Sequence, residues 1–393
     1  MRTVGVTSRG IRAPIIKKGD DLCKIVVDSV LNASKHEGFE LKDRDVIGIT
    51  ESIVARSQGN YATLDNIASD IKAKFGEDAT VGLIHPILSR NRFSMILKGI
   101  SMGVKKLYIQ LSYPSDEVGN PLVSWDILDE HGINPYTDVF TAEEFKKKLG
   151  DVKHPFTGVD YIEFYKEICG GKAEIILAND AVEILKYTKN VINADIHTRF
   201  RTQKRLLKAG AEKVLGLHEL MNAPVDGSGY HPDYGLLGSN LATDTSIKLF
   251  PRDCQALVTK IAAEMKEKTG KNIEVMVYGD GAFKDPVGGI WELADPVVSP
   301  GCTPGLIGTP NEIKMKYIAD NELHHLSGED AADAMREVIR KKSDNLINNM
   351  ASQGTTPRQL TDLLGSLCDL TSGSGDKGTP IILVQGYFDN YAD

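Results

Sequence analysis

Residues 81–111 read VGLIHPILSRNRFSMILKGISMGVKKLYIQL, and this stretch decides the class of fold. Its apolar start predicts a strand over residues 81–84, and apolar residues at helical spacing predict a helix over 93–102. A second strand follows over residues 106–111. Strands and helices that alternate in this way predict an α/β fold, a mixed α+β chain whose strands are at least partly parallel.

The same alternation continues on both sides of that stretch. Leu22, Val26 and Val30 recur at helical spacing behind two candidate N-caps, Asp20 and Asp21. Further patterns predict strands over residues 45–50, 174–178, 272–278 and 381–385, and helices over residues 65–75, 180–187, 251–269 and 327–350. No internal repeat and no low-complexity linker interrupts this order.

The length of 393 residues suits two compact units rather than one ordinary core. Hydrophobic residues make up 41% and charged residues 25%, which is typical of a soluble globular protein and excludes a disordered tail, a fibrous repeat and a coiled coil. No apolar stretch approaches the roughly 18 residues that a membrane helix needs. The first residues lack an apolar signal segment, so we expect a cytoplasmic protein.

The charge balance and the cysteines exclude other classes. The formal net charge is −8, and no basic block is longer than residues 146–148, which argues against nucleic-acid binding. The five cysteines are scattered and form no C-x-x-C pair. We therefore expect reduced, mostly buried thiols rather than disulfides or a structural zinc site.

Three segments of the C-terminal half suggest anion or metal chemistry. The loop TSGSGDKGTP, residues 371–380, combines glycines with Lys377 and suits a phosphate, although it lacks the Walker spacing and an ordinary flexible loop is the competing interpretation. Asp280 ends a predicted strand beside glycines, a position typical of a ligand for a hard cation but also of a turn aspartate. Asp226, His231 and Asp233 offer metal ligands or a proton shuttle, or else belong to a solvated loop.

Two basic clusters occur in the middle of the chain. His85 and the arginines Arg90 and Arg92 lie at a strand-to-helix junction, where helix N–H groups and guanidinium groups suit a carboxylate or phosphate. A similar cluster surrounds Arg199. A solvated helix surface explains the arginines as economically.

Five motifs occur in order along the chain. They are APIIKKGDDL at residues 13–22, DVI and SIVARSQG at 45–47 and 52–59, GLLGSN at 235–240, TGK with the strand that runs to Asp280 at 269–280, and GSGDKGTP with the closing strand at 373–386. Their order, spacing and flanking elements resemble the coenzyme F420-0:L-glutamate ligase family, the GTP-dependent γ-glutamyl ligases. The resemblance covers about residues 1–76 and 213–393.

This resemblance implies an enzyme that joins glutamate, or a similar amino acid, to a small carboxylate through an acyl phosphate made from GTP or ATP. It implies a homodimer, a Mg²⁺ or Mn²⁺ ion held by Asp280, and no membrane or nucleic-acid partner. The nucleotide site that it implies consists of Ala13, Pro14, Ile15, Ile16, Glu51, Ser52, Arg56 and Asn240, with phosphates near Gly373, Ser374, Gly375, Asp376, Lys377 and Gly378.

The chain also departs from the family pattern. Leu237 stands where the family has a metal-binding aspartate, and Gly281 stands where it has threonine. Residues 77–212 have no counterpart, which predicts a core formed by residues 1–76 and 213–393 around an inserted α/β unit. We expect that unit to select the acid through His85, Arg90, Arg92 and Arg199. A nucleotide-binding homologue without turnover, or another phosphoryl-transfer enzyme on the same core, are the alternatives.

Overall fold

A computed structural model describes residues 3–154, 157–279, 299–352, 359–372 and 375–393, and the backbone of residues 282–284 and 291–293. The strands are β1 (Thr7–Ile11), β2 (Val46–Thr50), β3 (Tyr61–Thr63), β4 (Thr80–Ile84), β5 (Lys106–Leu111), β6 (Phe140–Thr141), β7 (Ala173–Leu177), β8 (Asn190–Asn193), β9 (Lys213–Gly216), β10 (Asn240–Thr243), β11 (Ser246–Lys248), β12 (Glu274–Tyr278), β13 (Ala282–Lys284), β14 (Trp291–Leu293), β15 (Gly301–Cys302) and β16 (Ile381–Gln385).

The α-helices alternate with these strands. They are α1 (Leu22–Glu37), α2 (Glu51–Gln58), α3 (Leu64–Phe75), α4 (Phe93–Met102), α5 (Trp125–Glu130), α6 (Ala142–Leu149), α7 (Tyr161–Ile168), α8 (Arg199–Lys208), α9 (Cys254–Thr269), α10 (Met315–Asn321), α11 (Gly328–Arg340) and α12 (Leu360–Thr371). Asp21 caps α1 by accepting from the Lys24 N–H, and Gly270 ends α9 in the left-handed conformation. The mixed α/β class is confirmed.

Three predicted helices differ in detail. Residues 181–186 form a 3-10 helix, and α9 begins at Cys254 rather than Pro251 because Asp253 adopts a left-handed φ of 55°. The helix predicted over residues 327–350 ends at Arg340. There Asn311 binds the following segment, since its side chain accepts from the Leu346 N–H and its carbonyl accepts from Lys342 Nζ.

One sheet contains strands from both ends of the chain, in the order β1-β16-β2-β12-β15. β2 and β12 are parallel, and the other neighbours are antiparallel. Helices α1 and α9 cover one face, where Val26, Ile47 and Ile261 are fully buried. Helix α12 covers the other face through Leu364 and Cys368. The sheet therefore has an apolar layer on each side.

The second large sheet has the order β6-β7-β5-β4-β8-β9, and its strands are parallel except β6. The first of its strands, β4, lies at the centre, with β5 and β7 on one side and β8 and β9 on the other. The direction of winding reverses between β4 and β8, which makes this position the topological switch point of an open α/β sheet. Helix α4 covers one face and helix α8 lies on the other.

The apolar core on the α4 face of the six-stranded sheet contains residues from both sides of the proposed boundaries at residues 76 and 212. It includes Ile67 and Ile71 of α3 on one side, and Leu217 and Leu236 on the other. A third sheet, β10-β11-β3, joins residues 240–248 to residues 61–63. The division into residues 1–76, 77–212 and 213–393 stays a prediction.

Two expectations from composition concern membrane spans and thiols. None of the helices in the described ranges is long and apolar enough to cross a membrane. The five cysteines are free, and four of them, Cys23, Cys169, Cys254 and Cys368, are buried. The prediction that the thiols are mostly buried is confirmed.

The centre of β2 leaves no room for a side chain at Gly48. A Cβ there would collide with Sγ of Cys368 and would crowd the Tyr278 ring. We expect Gly48→Ala to lower the free energy of unfolding by about 1–3 kcal/mol through overpacking. Denaturant unfolding is the measurement, and Gly5→Ala is the control because nothing lies within 4 Å of its Cβ position. The double variant Gly48→Ala/Cys368→Ala should recover part of the loss; a Gly48→Ala protein as stable as the wild type would contradict this packing.

Candidate active site

Four chain segments meet at one edge of the five-stranded sheet. Ile11 pairs with Ile381, Ile381 pairs with Ile49, and Ile49 pairs with Val277 on the next strand. Just beyond this row, β1 leads into residues 12–16, β2 leads into α2, and β12 leads to Gly279. The loop that precedes β16 enters at the same edge. Strand register therefore brings together segments that lie up to 370 residues apart in the sequence.

Hydrogen bonds hold these segments against each other. The Ala13 N–H donates to the Gly378 carbonyl at 3.3 Å, and the Thr50 N–H donates to the Pro380 carbonyl at 3.1 Å. Arg56 donates from Nε to the Ile16 carbonyl at 3.3 Å. Ile16 is buried while Ile15 is 81% exposed. The predicted residues 13–16, Arg56 and Gly378 thus lie together, and Ile15 presents an apolar side chain to solvent beside them.

A buried ion pair lies at this edge of the sheet. Lys248 Nζ lies 2.8 Å from Glu51 Oε1, at the first residue of α2, and both side chains are about nine-tenths buried. Lys248 pairs in register with Asn240, so the ion pair connects two predicted segments. Sequence reasoning missed Lys248. The available signal was a lone lysine inside the apolar run Ile247 to Phe250, where a charged group needs a buried partner.

The predicted metal and phosphate residues are only partly described. Asp280, Gly373 and Ser374 lie outside the described residues, while Gly375, Asp376, Lys377 and Gly378 form an exposed turn. In the described ranges, no group of three or more His, Cys, Asp or Glu side chains is arranged to hold a metal ion. Because Glu51 is paired with Lys248, the described residues by themselves do not fit a Mg²⁺ site.

The segment at residues 226–240 has a structural role that the sequence did not reveal. His231 is 6% exposed, and its Nδ1 accepts from the N–H groups of Asp233 and Tyr234 at 3.2 and 3.1 Å. Its imidazole is used to hold the backbone turn, which disfavours both a solvated loop and a proton shuttle there. Leu237 is 3% exposed within the apolar core, so this position is a packing position in this chain.

The four predicted acid-binding residues lie at the carboxyl edge of the six-stranded sheet. His85 follows β4 directly with a φ of 51°, and its Nε2 lies 3.2 Å from Gln110 Nε2. Burial lowers the pKa of His85, which favours the neutral ring. Arg90 is exposed, and Arg92 is the N-cap of α4. Arg199 begins α8, and its guanidinium donates to the Ile196 carbonyl at 2.5 Å.

A pair of carboxyl groups, also missed from the sequence, lies beside these residues. Glu117 accepts from the N–H groups of Ile196 and His197 at 2.5 and 3.0 Å. Burial of its carboxyl raises the pKa of Glu117 to about 8. Burial alone would also raise the pKa of Asp195, but hydrogen bonds from Thr198 and Thr202 outweigh it and hold the pKa below its ordinary value. The pair therefore consists of a protonated Glu117 and an ionised Asp195.

The two edges are connected. The Leu241 N–H donates to the Asn91 carbonyl at 3.2 Å, so the loop between β4 and α4 contacts β10 next to Asn240. The predicted nucleotide segments and the predicted acid-binding loop are therefore neighbours in the structure, although residues 13–16 and 85–92 are far apart in the chain.

The sequence model of the F420-0:Gamma-glutamyl ligase family matches residues 10–386. The chain belongs to this family. The match runs through residues 77–212, for which the motifs alone offered no counterpart. The ligases for which this family is named form amide bonds.

Individual relatives are more distant. The coenzyme F420:L-glutamate ligase of Methanosarcina acetivorans is 36% identical over 86 residues, which are 21% of this chain and 30% of that relative. This match therefore spans less than a third of the relative's length. Among solved structures, the biosynthetic arginine decarboxylase of Campylobacter jejuni is 10% identical over 91% of this chain and 66% of that chain, with a TM-score of 0.15. A likeness this low carries no argument.

The raised pKa of Glu117 predicts a pH-dependent stability. The folded protein keeps this proton up to about pH 8, whereas the unfolded chain releases it near its ordinary pKa of 4.5. The stabilisation is therefore complete below about pH 4.5 and is lost as the pH rises towards 8. The side chain is exposed overall, so the slope should be well below the roughly 1.4 kcal/mol per pH unit of a full proton.

Glu117→Gln should remove this slope, because the amide cannot ionise, although its single oxygen keeps only one of the two hydrogen bonds from Ile196 and His197. Denaturant unfolding of both proteins at about pH 5 and about pH 8 is the measurement. We expect the variant to gain stability relative to the wild type at the higher pH. Equal slopes in the two proteins would show that the proton is not held by Glu117.

Proposed function

We propose that this chain is a nucleotide-dependent amide ligase that joins a glutamate-like amino acid to a small carboxylic acid through an acyl phosphate. GTP or ATP supplies the phosphoryl group, and Mg²⁺ or Mn²⁺ assists through Asp280. The family membership supports the amide-ligase class. The nucleotide, the metal and the acyl phosphate are our proposal.

The observation that carries the proposal is the buried Glu51–Lys248 pair at the edge where the four segments meet. A buried lysine in a water-poor site stabilises negative charge far better than an exposed one. Lys248 faces Asn240 in the register and Glu51 in space. Arg56 and the N–H groups of α2 lie on the same edge. Cationic side chains and helix N–H groups are the kinds of donor that bind phosphate groups.

The chemistry accounts for the need for a nucleotide. A carboxylate does not react with an amine until one of its oxygens is phosphorylated. The acid oxygen attacks the terminal phosphorus and the nucleoside diphosphate leaves; the amine then attacks the carbonyl carbon and inorganic phosphate leaves. In the first step Lys248 stabilises charge that spreads over the transferred group.

In this proposal, the acid substrate binds beside the loop between β4 and α4. This loop contacts β10 beside Asn240 through Asn91, and it carries Arg90 and Arg92. His85 and Arg199 lie on the same edge of the sheet. A guanidinium fork orients a carboxylate in a fixed plane, and orientation next to the phosphoryl donor supplies much of the rate.

A nucleotide-binding homologue without turnover is the second candidate. The buried, apolar position of Leu237 favours it, because the resemblance places a metal-binding aspartate there. The assay that separates the two candidates measures inorganic phosphate released from GTP or ATP with Mg²⁺ or Mn²⁺, across a panel of acids and amino acids. Release that requires both an acid and an amino acid supports the ligase. Nucleotide binding without any release supports the homologue.

Neutralising the ion pair tests the role of Lys248. The double variant Glu51→Gln/Lys248→Met avoids leaving one buried charge alone, which would cost about 3–5 kcal/mol. We expect it to fold and to lose about 100-fold or more in phosphate release. The control is Glu174→Gln/Lys106→Met, which removes an exposed pair of similar length, 2.7 Å. Wild-type activity in the Glu51 and Lys248 variant would contradict the proposed site.

Ligand-induced stabilisation tests the nucleotide and the metal separately. GTP or ATP with Mg²⁺ should raise the melting temperature, because a ligand that binds only the folded state stabilises it. Asp280→Asn should remove most of the metal-dependent part of that shift while keeping the part due to the nucleotide alone. A full shift in Asp280→Asn would rule out Asp280 as a ligand. The same protein should elute with the mass of a homodimer, as the family resemblance implies.

A further inference from the structure

A second cavity lies at the opposite end of the five-stranded sheet from the candidate active site. Thr7 pairs with Gln385 at this end, whereas Ile11 pairs with Ile381 at the active-site edge, four residues or about 13 Å further along β1. The volume of the cavity is about 620 Å³, which is within the range of roughly 300–1,000 Å³ that small-molecule sites occupy. The polar side chains that line it come from β1, from the segment between α1 and β2, and from the end of β16.

A network of buried polar groups supports this cavity. Gln385 lines it and is 8% exposed. Its Nε2 donates to the Glu40 carbonyl at 2.9 Å and to Asp45 Oδ2 at 2.6 Å, and its Oε1 accepts from Arg9 Nη1 at 2.7 Å. The buried Asp45 carboxylate also accepts from the Lys42 N–H at 2.8 Å. Both ends of the Gln385 amide are therefore used, and the amide fixes the position of the Arg9 guanidinium.

Arg9 is held in place and still has donors for a ligand. Its guanidinium carbon lies 4.7 Å from the centre of the Phe39 ring, in addition to the hydrogen bond to Gln385. A guanidinium group has five N–H donors. In the part of the chain that the structure describes, Gln385 is the only hydrogen-bond acceptor of Arg9. A guanidinium that is oriented in advance loses little side-chain entropy when it binds an anion.

Lys42 supplies a second cation from a different element. It lies in the segment between α1 and β2, lines the cavity and is exposed, whereas Arg9 belongs to the sheet. Thr7 adds a hydroxyl group, and Phe39 and Val4 add apolar surface to the same cavity. The cavity thus combines two cations with an apolar surface, which is the composition of a site for a small organic anion.

Negative groups near the cavity indicate which anions fit. Helix α1 ends at Glu37, two residues before Phe39, and the C-terminus of a helix carries partial negative charge. Glu40 adds a carboxylate to the lining. Phosphate sites typically use backbone N–H groups at a helix N-terminus, which is the opposite situation. A compact dianion would concentrate its charge beside these negative groups, whereas two separated carboxylates bring one charge to each cation.

We propose that this cavity is a second ligand site, independent of the proposed ligase reaction, and that it binds a small dicarboxylate. The Arg9 guanidinium binds one carboxylate as a bidentate fork, and Lys42 Nζ binds the other. Phe39 and Val4 contact the carbon chain between the two carboxylates.

Isothermal titration calorimetry of the full chain with succinate tests this site. The comparison ligands are succinamide, in which neutral amides replace both carboxylates, and inorganic phosphate. We expect succinate to bind at least about 10-fold more tightly than either, because each charged hydrogen bond adds to the affinity. Lys42→Met, a change at an exposed position, should weaken succinate binding by about 10-fold or more. Arg9→Lys should also weaken it, because lysine keeps the charge but lacks the fork.

Two further variants serve as controls. Lys35→Met makes the same change at an exposed lysine in the last turn of α1 that does not line the cavity, and it should bind succinate like the wild type. Glu51→Gln/Lys248→Met alters the candidate active site and should also keep the wild-type affinity; loss of binding there would assign succinate to the active-site edge and overturn the proposal. The proposal is equally wrong if succinate does not bind the wild type, binds no more tightly than succinamide or phosphate, or binds Lys42→Met with unchanged affinity.

Discussion

The row of paired residues Ile11, Ile381, Ile49 and Val277 is the constraint on which the functional edge depends. Strand pairing permits no partial slip: a shift of one residue would turn the buried face of a strand outward. With β1, β16, β2 and β12 in this register, the segments at residues 12–16, 51–56 and 375–380 and Gly279 have to emerge side by side. Each segment alone supplies only part of the candidate site, and the strand register brings the segments together.

Both large sheets place their candidate chemistry at strand ends, for the same reason. Backbone groups inside a sheet are used by the ladder, whereas the loops beyond its edge are free to present N–H groups and side chains to a ligand. In the five-stranded sheet these loops surround Glu51. In the six-stranded sheet they surround the switch point. The contact between Asn91 and Leu241 joins the two edges, so a nucleotide and an acid bound at them would be neighbours.

The ionisable side chains at the edges of the two large sheets are accommodated in different ways. Glu51 and Lys248 neutralise each other as a buried ion pair, which is costly to break. At the other edge, burial of its carboxyl raises the pKa of Glu117, so that a protonated Glu117 lies beside an ionised Asp195. Neither arrangement is needed for the sheets themselves, whose cores are apolar.

The sequence by itself determined the mixed α/β class and the family, because these depend on local periodicity, caps and ordered motifs. It located α4 and β5 to the residue but placed no helix at α2, α5, α6, α7 or α8. Only the tertiary structure decided that Lys248 faces Glu51, that Glu117 meets Asp195, that His231 supports a turn and that Leu237 packs in the apolar core. Those contacts join residues up to 197 positions apart, and local pattern carries no information about which distant side chains share a buried, low-dielectric space.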